Sequence, residues 1–304
     1  MGVIIAEHLT KWFPDRRQPA IDDLDLEVRD GEVLGLVGLN GAGKTTTIRV
    51  AAGVALPTAG RVLVNGADVV LEKRRASSYV AWVPELFPFE PSARALPLLE
   101  YFAGFYGLSK VEATRRAREL LDRVGLSSEE RGHVRNFSQG MKKRLALASA
   151  MISEPQNLLL DEILNGLDPA GIAFCRKWVV DARRDGKAIL LSSHQLTELQ
   201  ALADRVTFVH EGRLLRTIDR AELARAGSPA LRLVIPNLDA SALAYLSSIG
   251  STRAEGTVVW VSRPTAESHV VNAELVRRGY QVAECFLETT SLEAYFLELI
   301  GAAR

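Results

Sequence analysis

The stretch Gly38-Leu39-Asn40-Gly41-Ala42-Gly43-Lys44-Thr45-Thr46 limits the folds open to this chain more than any other. It fits G-x-x-x-x-G-K-[ST], a pattern that belongs between a strand and a helix N-terminus, where free backbone N–H groups and the helix dipole favour an anion. Both flanks agree. Val33-Leu34-Gly35-Leu36-Val37 is apolar or glycine throughout, as in a parallel strand buried on both faces, and Thr45 to Ala52 has helical character without proline. Gly38, Gly41 and Gly43 let the backbone curl closely around phosphate, with Asn40, Ala42 and Thr46 completing the cradle. Lys44 then reaches the β- and γ-phosphates of a nucleotide, and Thr45 offers its hydroxyl to Mg²⁺.

The rest of the chain supplies a sheet for this loop. Val3 to Leu9 and Leu24 to Val28 read as strands, with Asp30-Gly31 turning the second into the strand before the loop. Between them, Lys11-Trp12-Phe13-Pro14-Asp15 carries two adjacent aromatics; either one stacks on a base or both cap a core edge. Arg61 to Val64 ends at the hairpin pair Asn65-Gly66, and Tyr79 to Val83 forms a further strand. From Pro91 to about Ala150 the period becomes helical. Ser109-Lys110-Val111-Glu112 is a capping box, and Gly125 closes the helix behind it. This insert is longer than a single crossover needs and predicts a subdomain of its own.

Asn157-Leu158-Leu159-Leu160-Asp161-Glu162 is an apolar strand ending in two carboxylates, Ala188 to Ser192 ends at Ser193-His194, and Val206 to Val209 forms a hairpin with Arg213 to Thr217. Strands alternating with helices predict a mostly parallel sheet, whose ligands lie at the strand carboxyl ends. The loop, the carboxylate pair and His194 all fall there. Asp161 is placed to hold Mg²⁺ opposite Thr45, and Glu162 to orient or deprotonate an attacking water. Past the break at Arg225-Ala226-Gly227-Ser228-Pro229, strands over Leu231 to Ile235, Val258 to Ser262 and Tyr280 to Leu287 alternate with helices, the last capped by Thr290-Ser291-Leu292-Glu293. The expected division is a nucleotide-binding domain over residues 1–220, with the helical insert over about 86–156, and a small α/β domain over 228–304.

Lys+Arg and Asp+Glu are both 37, so no net field favours nucleic acid as a partner. The basic triplets Lys73-Arg74-Arg75 and Lys142-Lys143-Arg144 read as solvated helix faces. Cys175 and Cys285 make no metal spacing and suit a reducing cytosol. There is no signal-peptide pattern and no apolar run of about 18 to 20 residues.

Phe137-Ser138-Gln139-Gly140-Met141, followed by Lys142-Lys143-Arg144-Leu145, resembles the signature loop and helix of ATP-binding cassette (ABC) proteins. Asn165-Gly166-Leu167-Asp168-Pro169 resembles that family's D-loop, His194 its switch histidine and Phe13 its adenine-stacking aromatic. Four positions depart from the pattern. Gln139 and Met141 stand where L-S-G-G-Q has its first glycine and its glutamine, Glu85 stands in place of the Q-loop glutamine, and Ile163 in place of proline. The C-terminal stretch Ser291-Leu292-Glu293-Ala294-Tyr295-Phe296 is similar to the tail of separate-chain exporter ATPases.

The resemblance implies a P-loop ATPase fold of the ABC type: a mostly parallel core, an antiparallel β subdomain and a helical insert. It implies ATP and Mg²⁺ as cofactors, with Glu85 a further candidate at the metal. It also implies a head-to-tail pair of ATPase chains, in which Ser138 and Gly140 of one serve the γ-phosphate of the other. A transmembrane permease on a separate chain would dock on the helical insert, where Phe87, Phe89, Tyr101, Phe102, Phe105 and Tyr106 are either groove or core. The chain would then sit at the cytoplasmic face of the cell membrane. The competing class is a soluble cassette ATPase acting on ribosomes or DNA; those usually carry two cassettes or long heptad insertions, and neither is present. A regulatory protein without useful turnover is a third, which Glu162 and His194 oppose.

Overall fold

The computed structural model describes residues 2–194, 196–226, 229–262, 264–289, 296 and 299–301. Contacts divide the chain into two compact units, Met1–Arg220 and Ala221–Arg304.

In the first unit, β1 (Gly2–Lys11) and β2 (Ile21–Arg29) form an antiparallel pair. β3 (Val33–Val37) is buried at every position and delivers the chain to α1 (Lys44–Ala51). β4 (Ala59–Val64) and β5 (Ala67–Asp68) are joined by Asn65 and Gly66, at φ 47° and 75°, the two left-handed residues that a tight hairpin requires. α2 (Lys73–Tyr79) then leads into β6 (Val80–Val83). The insert follows as α3 (Ala95–Phe105), α4 (Lys110–Arg123) and α5 (Gln139–Ala150). α4 has the expected capping box, Ser109 and Glu112 each receiving the other's backbone N–H. β7 (Asn157–Asp161), α6 (Pro169–Arg184), β8 (Ala188–Ser193), α7 (Leu196–Leu202), β9 (Arg205–His210) and β10 (Arg213–Asp219) complete the unit, and α8 (Arg220–Ala226) begins at the division.

Two sheets result. The smaller is antiparallel, in the order β2-β1-β4-β5; the larger runs β10-β9-β3-β8-β7-β6, parallel from β9 to β6 with β10 antiparallel at its edge. Leu158, Leu159 and Leu160 are each 0% exposed on β7, between β8 and the edge strand β6. Burial of about 2 kcal/mol per leucine holds the strand that ends in Asp161. Register does the rest. Asp161 pairs with Ser192 and Val37 with Ser193, so three adjacent strands end at one level beneath the same cleft.

The second unit has an architecture that the sequence reading left unresolved. β11 (Pro229–Val234), α9 (Ala240–Ile249), β12 (Ser251–Glu255), β13 (Val258–Ser262), α10 (Ser268–Arg277) and β14 (Glu284–Thr289) follow as β-α-β-β-α-β, with sheet order β12-β13-β11-β14 and every pair antiparallel. This is the ferredoxin-like split β-α-β arrangement. The alternation of Leu231, Leu233 and Ile235 places all three at 0% exposure. β12 lacks such alternation, because Ser251 to Glu255 is an edge strand with four of its five residues exposed. The expected strand from Tyr280 starts only at Glu284, and the helix cap at Thr290 to Glu293 lies outside the described residues.

The two basic triplets separate. Lys73, Arg74 and Arg75 are exposed as expected, but Lys142-Lys143-Arg144 is not a solvated face: Lys143 is 8% exposed and the Arg144 guanidinium lies 4.3 Å from the centre of the Phe174 ring. In the insert, Tyr101, Phe105 and Tyr106 are 64%, 69% and 56% exposed, so these three are surface rather than core.

Candidate active site

The phosphate loop leaves β3 and bends tightly back to α1. Gly38 is required by close approach: a Cβ there would lie 2.4 Å from the Val209 carbonyl oxygen. Gly43 is required twice, by φ 107° and by the Ala20 carbonyl oxygen 2.5 Å from any Cβ. Gly43 thereby caps α1 from a left-handed conformation and directs the first helical N–H groups into a cleft.

That cleft holds about 440 Å³ and is lined by Asn40 to Thr46 together with Arg16, Arg49, Glu85, Glu162, Asn165 and His194. Thr45 Oγ1 donates to Asp161 Oδ1 at 3.0 Å, and Ser192 Oγ donates to the same oxygen at 2.8 Å. Asp161 is 2% exposed. Burial pushes its carboxyl above the usual range, against the pull of the two hydroxyls.

Glu162 is the most constrained residue of the site. Its φ of 48° is left-handed, which strains a residue with a side chain, and it is 6% exposed. Its N–H donates to Ser192 Oγ at 3.0 Å; its carbonyl accepts from Lys143 Nζ at 3.0 Å and from the Asn165 N–H at 3.1 Å. One carboxylate oxygen lies 3.4 Å from Lys44 Nζ. The other lies 2.9 Å from His194 Nδ1 and accepts the His194 N–H at 3.3 Å. Lys44 also donates to the carbonyls of Gly38 and Leu39, at 2.8 and 3.3 Å.

The cleft thus brings together Lys44, Thr45, Glu162 and His194, with Asp161 beneath them. Glu85 lines it too. Although exposed, its Oε1 accepts from Asn165 Nδ2 at 3.1 Å. His194 contacts the Glu162 carboxylate directly. Phe13 is not among the lining residues. It is half-buried, with Lys11 Nζ 4.8 Å and the Arg16 guanidinium 6.0 Å from its ring centre, and Arg16 is the member of that group in the cleft. Ser138 and Gly140 do not line it either. Ser138 caps α5, its hydroxyl accepting from the Met141 N–H at 3.2 Å. Ser192 and Lys143 were missed. The signal for Ser192 is a pair of serines, Ser192 and Ser193, closing an apolar strand; Lys143 gives none, since a lysine within a basic triplet reads as surface.

A model of the ABC transporter family matches residues 21–165. A bacitracin transport ATP-binding protein from Bacillus licheniformis is 32% identical over 98% of this chain and 97% of its own length. The chain belongs to the ABC transporter ATP-binding proteins. A daunorubicin resistance ATP-binding protein from Streptomyces coeruleorubidus is 34% identical over 99% of this chain and 96% of its own. Among solved structures, the ATP-binding subunit of an ABC transporter superposes with a TM-score of 0.66 at 29% identity, covering 72% of this chain and 91% of that one. The protein is therefore an ATPase of the ABC type, and the α/β P-loop architecture with its helical insert is the family's own.

Mg²⁺ is implied by the family, and the donor set suits it. Thr45 Oγ1 and Asp161 Oδ1 are hard oxygen ligands beside a roomy cleft. Among the described residues no three His, Cys, Asp or Glu gather as a cage, and Mg²⁺ needs none, since it takes one or two protein oxygens with phosphate and water. No helix among the described residues is long and apolar enough to cross a membrane.

Proposed function

We propose that this chain is the ATPase subunit of an exporter, working on a separate transmembrane permease through ATP-dependent head-to-tail pairing. The observation that carries the reading is the partition of the motifs. Lys44, Thr45, Glu162 and His194 share one cleft, whereas Ser138 and Gly140 do not line it and are left for a second chain's nucleotide. Lys44 and the loop N–H groups bind the phosphates, and Thr45 with Asp161 holds Mg²⁺, which when bound neutralises charge on the phosphate oxygens. Glu162 orients the water, accepting its proton at the carboxylate. His194 steadies that carboxylate and offers its imidazole to the γ-phosphate. Glu85, held by Asn165 at the cleft edge, is a further candidate near the metal. Phe13 stacks the base, with Arg16 reaching from its ring towards the nucleotide.

Export is supported by the two relatives named for bacitracin transport and daunorubicin resistance. A permease surface is supported by the exposed Tyr101, Phe105 and Tyr106 on the insert. The chain then lies at the cytoplasmic face of the membrane without entering it, as domain 1–220 with an accessory domain over 228–304. Purification of the tagged full-length chain from solubilised membranes tests this. A polytopic membrane protein should co-purify in stoichiometric amount; ribosomes or DNA in its place would favour the soluble cassette class.

A further inference from the structure

Lys143 is a buried ammonium that the proposed chemistry does not use. It is 8% exposed on α5, and no acidic oxygen among the described residues lies within 4.0 Å of its nitrogen. Burial pushes its pKa down, against the upward pull of Cys175 and of the carboxylates of Glu85, Glu162 and Asp161. A lysine placed so costs stability, and an apolar side chain of the same length would pack there without that penalty. Its hydrogen bond goes to one atom, the Glu162 carbonyl oxygen at 3.0 Å.

That carbonyl belongs to the left-handed residue whose carboxylate is assigned to the water. The Glu162 peptide is gripped on both sides, by Ser192 Oγ at the N–H and by Lys143 Nζ at the C=O. The two grips come from different places. Ser192 belongs to the central sheet; Lys143 belongs to the helix that Ser138 caps and that contains Gly140. From Ser138 to Lys143 is five residues of one helix, about 7.5 Å at a rise of about 1.5 Å per residue. A shift at the signature end therefore reaches the Glu162 carbonyl through a rigid element.

We propose that Lys143 is a positioning residue that holds Glu162 in its working conformation and relays to it the engagement of the signature segment by nucleotide on a facing chain. The relay rests on the head-to-tail reading and on Glu162 as the residue that activates water.

The test uses the full-length chain with Lys143→Met, which removes the donor and the charge, and Lys143→Gln, which keeps a neutral donor. The Asn165 N–H still bonds the Glu162 carbonyl in both, so neither variant leaves it unpaired. Lys143→Met should fold with unchanged or raised Tm, keep KM for ATP within about threefold, and lose about tenfold in kcat, or about 1.4 kcal/mol. Lys143→Gln should recover part of that loss. Retention of kcat within twofold in Lys143→Met, while Glu162→Gln is inactive, would overturn the positioning role. Retained turnover in Glu162→Gln would instead overturn the reading of Glu162. The relay is read from a double-mutant cycle with Gly140→Ala, whose added Cβ meets nothing in its own chain closer than 3.9 Å. A cost of Gly140→Ala in kcat that shrinks in the Lys143→Met background supports the relay; additive costs overturn it.

Discussion

Removing one hydroxyl should loosen both carboxylates at the end of β7. Ser192 is 1% exposed, donates to Asp161 Oδ1 and accepts from the Glu162 N–H. In Ser192→Ala the Glu162 N–H loses its partner, at a cost of about 1–3 kcal/mol for a buried donor. Asp161 keeps Thr45 but loses its shorter hydrogen bond, worth about 1.5–3 kcal/mol for a charged acceptor. The two terms share one side chain and do not simply add, so about 2–4 kcal/mol is expected. For a unit of this size that is roughly 4–16 °C in Tm, at about 2–4 °C per kcal/mol. Calorimetry of the nucleotide-free protein gives the number. Thr45→Ala is the comparison: it takes the other donor from Asp161 but leaves the Glu162 N–H paired, so its drop should be smaller. A Tm for Ser192→Ala within about 2 °C of the parent, or equal drops in the two variants, would refute the argument that Ser192 ties Glu162 to the sheet.

Three further outcomes follow from the same geometry. Lys44→Ala should weaken MgATP binding by at least about tenfold, the worth of a charged hydrogen bond; near-parental affinity in titration calorimetry would deny the phosphate role. His194→Ala should hold ATP affinity within about threefold and lower kcat about 10²- to 10³-fold, because imidazole contributes at the carboxylate and the transferring phosphate; equal losses in binding and turnover would make it structural. Cys175 is buried, and burial pushes its thiol pKa up to about 11, so at pH 8 native protein should leave it unalkylated until unfolded, as peptide mapping after iodoacetamide will show.

Much of the first unit was legible because its signals are local. The G-x-x-x-x-G-K-T run, the three leucines before Asp161 and the Ser109–Glu112 box each dictate their own stretch. The parallel sheet then followed from strands alternating with helices. What was not legible depends on partners distant in sequence. Ser192 matters because β7 and β8 pair in a register that sets it beside Asp161, and no local pattern encodes a register. Lys143 looked like its neighbours in a basic run, yet the packing of α5 turns it inward to the Glu162 carbonyl. The second unit was legible only in outline. β11 and β13 alternate cleanly, whereas β12 carries polar residues on both faces at the sheet edge, so the β-α-β-β-α-β order could not be counted.

The central claim is that one chain's cleft is completed by another chain's signature segment. Sedimentation velocity of the Glu162→Gln chain, with and without MgATP, tests it most directly, in the presence of a second ATPase chain if the natural pair is mixed. This variant should bind ATP, turn it over at a rate near zero, and shift from monomer to dimer only when MgATP is present. A species that binds ATP and stays monomeric at every concentration would contradict the account.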